Sequence, residues 1–180
     1  MAAVAVMAAL CAWLGASLIV LGDGSRGVAV GIGLATLGLA TIALESNGAV
    51  AALAILVAGA VVAFQHVGSG DGTWGIMPAG STPRLILCVA FGLLAWWFAA
   101  SVSLGPGVTH RFVVVVVLGL TAARILTSQQ PSVVIAAAAV LALAVGEGAD
   151  LGAHSVWPYL VAGVTACVVA LIPAPRPNVT

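Results

Sequence analysis

Seven times along the chain, an apolar run close to the length of a bilayer crossing is broken by a short polar or glycine–proline interruption. This alternation decides the class of fold. A hydrocarbon core about 30 Å thick needs roughly 17–25 mostly apolar residues for one helical crossing. On that ruler the runs are approximately Ala2–Leu21, Val28–Leu44, Ala49–Phe64, Leu85–Leu104, Phe112–Thr127, Val133–Gly146 and Tyr159–Pro173. The sixth is the shortest, so its ends are expected to draw Ser132 and Glu147 towards the headgroups. Little chain lies outside these runs. The expectation is an all-α, polytopic transmembrane helix bundle with about seven spans, six being the alternative count. It forms a single integral membrane domain over residues 1–180, with no soluble domain.

Composition excludes the other classes. Charged residues are 6% of the chain and hydrophobic ones 63%, whereas soluble domains carry about a quarter charged residues. Five Arg against five acidic residues supply no basic stripe for nucleic acid. There is no Lys to form a retinal Schiff base, and His66, His110 and His154 all fall at the edges of runs, not inside them as a membrane haem would require.

The stretch from Val28 to Phe64 reads almost continuously apolar, but one helix of that length would be about 55 Å long, too long for a single crossing. Glu45-Ser46-Asn47-Gly48 is therefore expected to be the tight turn of a helical hairpin, with Gly48 in a left-handed conformation. Gly105-Pro106-Gly107 and Gln129-Gln130-Pro131 are the other clear breakers, Pro131 being suited to a helix start.

Basic residues accumulate in short cytoplasmic loops. Seven spans put Arg26, Arg84, Arg124 and Arg176 on one side and Arg111 on the other. The expected topology has the N-terminus outside and the C-terminus in the cytoplasm, in a bacterial inner or plasma membrane. Arg124 counts there only if it sits in the last turn of the fifth helix and extends its side chain to the headgroups. The first run lacks a basic leader region and exceeds the usual apolar length of a signal peptide, so a retained helix is expected. Cys11, Cys88 and Cys167 lie within runs without pairing or ligand spacing and read as small packing residues.

Membrane helices associate through small residues that let backbones approach. Gly27, Gly31 and Ala35 form such a line on the second helix, which Gly33 and Leu37 do not continue, and Ala51, Ala54 and Ala58 form another on the third.

Rare polar groups are the remaining clue to function. Glu45, Asn47, His110, Arg111, Glu147, Asp150, His154 and Trp157 all fall on the expected outer face, from three different loops. As a candidate catalytic set, Glu45, Glu147, Asp150, His110 and His154 supply the components for proton transfer, with Glu45 and Glu147 expected to be partly desolvated because each directly ends an apolar run. Trp96 and Trp97, near the middle of the fourth run, together with Asn47, Arg111 and Trp157 are candidate substrate contacts, the tryptophans forming a wall for an apolar or isoprenoid chain. Glu147, Asp150 and His154 have metal-ligating chemistry but no ligand spacing, so no metal site is assigned. No cofactor is indicated.

On the opposite face the one long loop, Gln65 to Arg84, is glycine-rich but lacks the strand, soluble helix and Lys of a phosphate cradle. It is expected to be flexible or partly re-entrant, anchored by Trp74, with His66 an interfacial side chain.

Two functional classes follow. The first is a non-catalytic accessory subunit of a membrane complex or a small-solute transporter component, whose partners are the lipid bilayer and a membrane protein or a second copy of the chain. The alternative is an intramembrane enzyme acting on a lipid or isoprenoid, with outer-face carboxyls as proton donors. In that case Glu45→Gln and Glu147→Gln would each abolish activity.

Overall fold

The computed structural model describes residues 2–69, 73–75, 81–102, 107–149 and 155–173. These contain seven α-helices and no strand: α1 (Ala2–Leu21), α2 (Ser25–Asn47), α3 (Ala49–Ser69), α4 (Thr82–Val102), α5 (Gly107–Thr127), α6 (Pro131–Ala149) and α7 (Trp157–Ala170). Six are long and apolar enough to cross a membrane, and α7, with 14 residues, is shorter. The protein is thus a multi-pass helical membrane protein, and the shortest helix is the seventh, not the sixth. α6 reaches 19 residues because it continues through Gly146, Glu147 and Gly148. Where lipid offers no hydrogen-bond partner, a backbone stays helical through its polar terminal residues.

The α2–α3 hairpin is tighter than the sequence suggests. Glu45, Ser46 and Asn47 belong to the last turn of α2, and Gly48 alone makes the reversal, with φ 81° and ψ −172°. That region is open essentially only to glycine.

α2 lies centrally, against α1 and α3 and also α5 and α6, while α7 packs on α3 and α6. α4 is peripheral, touching α5 and, less extensively, α1. Its sides carry Leu93, Leu94, Trp97 and Phe98 outwards, as a lipid-facing helix should.

Small residues set the helix spacing. The Gly27, Gly31, Ala35 line is buried and faces α1. A β-carbon on Gly15 would run into the Ala35 backbone, and one on Gly31 would come within 2.8 Å of the Gly15 carbonyl oxygen. Gly33, off that line, faces open space. Ala51 and Ala58 are buried in α3, and Gly163 of α7 sits over Ala54 and Ala58.

The loop before α4 contributes structure of its own. α2 begins at Ser25 behind an N-cap, Gly24, that has no side chain to cap it, which would leave its first N–H groups unsatisfied. Backbone carbonyls from the described piece Thr73-Trp74-Gly75 take their place. Gly75 O accepts from Asp23 N at 2.8 Å and Gly24 N at 3.3 Å, and Thr73 O accepts from Arg26 N at 3.1 Å. Within a loop expected to be flexible or partly re-entrant and anchored by Trp74, this described piece is docked on the α1–α2 junction and takes up the Arg26 N–H of α2's first turn. A β-carbon at Gly24 would collide with it.

Candidate functional site

α5 and α6 are antiparallel neighbours, so the first turn of α5 and the last turn of α6 meet at one end of the bundle. His110 and Glu147 come together there, with Nε2 of the imidazole 3.1 Å from Oε1 of the carboxylate. Both residues belong to helices, not to loops as the sequence reading placed them. Glu147 is fully enclosed, at 0% exposure. It falls in step with Val133, Ala136, Val140 and Leu143, the buried stripe of α6, at the three-to-four spacing that defines one helix face. The contact is an ion pair when the imidazole carries its second proton and a neutral-to-charged contact when it does not.

Glu45 fares differently. It is exposed, on the outward side of α2 near Leu37 and Leu44, and makes no ion pair or hydrogen bond among the described residues. The expectation that both carboxyls are desolvated holds for Glu147 and fails for Glu45, because position at a helix end does not settle which face a residue occupies.

A second contact forms at the same end. Asn47 Nδ2 donates to the Tyr159 hydroxyl at 2.9 Å and to Ser46 Oγ at 3.2 Å, joining the end of α2 to the start of α7. Tyr159 is completely buried. It is absent from the candidate residues above, although the chain's one tyrosine at a helix start carries a hydroxyl that needs a partner when buried. Arg111 is half-buried, without a partner among the described residues, and Trp157 is 72% exposed. Asp150 and His154 lie outside the described residues. Among the described residues no three His, Cys, Asp or Glu side chains group as metal ligands.

Trp96 and Trp97 stand about one turn past the middle of α4, towards the His110 end, because α4 begins at Thr82 and ends at Val102. Trp96 meets Phe112 edge-on, with ring centroids 5.8 Å apart. Phe112 follows His110 by two residues, about 200° around the helix. Trp96 therefore packs on the far side of α5 from Glu147, and Trp97, 70% exposed, faces outwards. The structure does not bring the tryptophans to the carboxylate.

The opposite end holds a network that the sequence reading passed over. Arg124, 2% exposed in the last turn of α5, turns inwards. Its Nη2 donates to Gly22 O at 2.7 Å and to Asp23 Oδ1 at 2.8 Å. Arg84, in the first turn of α4, reaches the same carboxylate oxygen at 3.0 Å. Arg124 does sit in the last turn, but it does not meet the other condition for counting in the charge bias, a side chain extended to the headgroups. It pairs with Asp23 because an acceptor lies within reach inside the bundle, and a buried guanidinium requires one. Burial acts to raise the Asp23 pKa, but the hydrogen bonds and charges of Arg124 and Arg84 outweigh it and hold the carboxyl below its ordinary value. Alternation of helices alone would have placed Asp23, Arg84 and Arg124 on one side.

His66 is also not the interfacial side chain expected. It is 6% exposed in the last turn of α3, with a backbone hydrogen bond at Ser132.

Compared with known proteins, the chain matches no family model, and no curated protein or solved structure is significantly similar.

Proposed function

We propose that the protein is a non-catalytic component of a membrane assembly. The observation that supports this most is the character of the described core between the two polar ends. It is built from Ala, Val, Leu and Ile brought into close contact by glycines on α1, α2 and α3. Thr36, midway along α2, spends its hydroxyl on the Ile32 carbonyl at 2.9 Å, and Thr121 does the same to Val117 at 2.6 Å. A solute carrier draws on polar groups or broken helices near the midplane, and these hydroxyls are already committed to their own helices. A subunit that stabilises or positions a larger assembly needs only packing surfaces.

Native mass spectrometry of the protein extracted from its own membrane in mild detergent tests the reading. A stoichiometric protein partner, another chain or a second copy, is the expected result. A lone chain would overturn it.

The enclosed Glu147–His110 contact favours a second reading, in which this end handles a proton, either in a small-solute transport component or in an enzyme acting on a lipid. Ionisable groups inside a membrane bundle are costly and commonly functional. This reading requires Glu147→Gln to abolish uptake or turnover at normal expression. Glu45, outside the contact, is the weaker proton donor of the two first considered.

A further inference from the structure

At the end of the bundle that holds Asp23, a cleft of about 140 Å³ opens between the last turn of α3, the first turn of α6 and the chain just beyond α7. Its lining is mixed, with Val62, Ile135, Ala136 and Leu171 supplying apolar surface and Gln65, His66 and Ser132 polar surface. No charged residue lines it among those described. His66 is more than nine-tenths buried, and its Nε2 is enclosed with no hydrogen-bond partner among the described residues. A buried ring nitrogen left without a partner costs free energy, so the cleft sets one unsatisfied polar atom beside apolar side chains.

We propose that this cleft binds a neutral alcohol or phenol, its hydroxyl on His66 Nε2 and its apolar body against Val62, Ile135 and Leu171. A hydroxyl both donates and accepts, so it satisfies the nitrogen in either ring tautomer. The volume is close to the roughly 150 Å³ of an apolar cavity that takes benzene. An acid or a cation would find no countercharge among the described residues. Leu171 and Ile172 are exposed, so the hydroxyl-bearing end of a membrane lipid such as a diacylglycerol has the same chemistry as a free small alcohol.

The test uses the full chain, 15N-labelled at histidine, in phosphatidylcholine nanodiscs. Cyclohexanol is added to one sample, methylcyclohexane of the same shape to another, and a third is assembled with dioleoylglycerol. A saturable shift of the His66 Nε2 resonance with cyclohexanol, absent with methylcyclohexane, is expected. Ala170→Leu, which narrows the cleft, raises the half-saturating concentration about tenfold or more, as overpacking does. A shift in the dioleoylglycerol discs before any addition identifies a lipid as the source, and a shift with cyclohexanol alone identifies a free alcohol. A response that stays linear in cyclohexanol, that is equal for methylcyclohexane, or that appears at the other histidines and not at His66 would overturn the proposal. The wild-type comparison decides even if the variant misfolds.

Discussion

Both polar ends of the bundle enclose a charge-bearing side chain, but the two side chains differ in whether the charge can be given up. At one end Arg124 holds a guanidinium that stays protonated at any physiological pH, so its burial depends on Asp23. At the other, Glu147 presents a carboxyl to His110, and a carboxyl that loses one polar neighbour can take up a proton and become neutral. The first end is a clasp, tying the α1–α2 junction to α4 and α5. The second joins the first turn of α5 to the last turn of α6 through two groups that each have a neutral form. A buried ionisable residue therefore does not by itself mark a site, and what its neutral form would cost decides the reading.

The largest effect should follow from Asp23→Ala. It leaves Arg124 charged and enclosed with only the Gly22 carbonyl. A loss of about 3 kcal/mol is expected, as when one partner of a buried ion pair is removed, read from unfolding in detergent. Next is Gly15→Ala, which forces a β-carbon into the Ala35 backbone and should cost about 2 kcal/mol. Gly33→Ala, facing open space, should gain about 0.5 kcal/mol from helix propensity. Equal effects at the two glycines would remove the close α1–α2 contact from the account. Tyr159→Phe deletes the hydroxyl that accepts from Asn47 and should cost about 1 kcal/mol.

Acid sharpens the comparison further. The guanidinium groups of Arg124 and Arg84 hold the Asp23 carboxyl below its ordinary value. Its contribution is fully present above that value and is lost as pH falls from there through the lower folded pKa. Stability of the wild type should therefore drop below about pH 4 more steeply than that of Asp23→Asn in the same detergent.

The architecture was readable because bilayer thickness acts on every residue of a run, and run length survives small errors at the ends. Glycine lines were readable for a similar reason: Gly31 and Ala35 share a face at helical spacing whatever surrounds them. Which charges turn inwards was harder. Glu45 and Glu147 both follow apolar runs, and only the register of Glu147 with Val140 and Leu143 separates them. Arg124 and Asp23 are about a hundred residues apart in sequence, so no local pattern announces their contact, although helix alternation puts them on the same side. The burial of His66 depends on where α6 begins and on the chain after α7, neither of which its own helix encodes.

The most direct test of the difference between the ends is to measure the unfolding free energies of Asp23→Ala and His110→Ala side by side, in one detergent at neutral pH. The account expects His110→Ala to cost about 1 kcal/mol, since Glu147 loses one polar contact but can neutralise itself, and Asp23→Ala to cost at least twice as much. Equal costs, or a larger cost at His110, would contradict it.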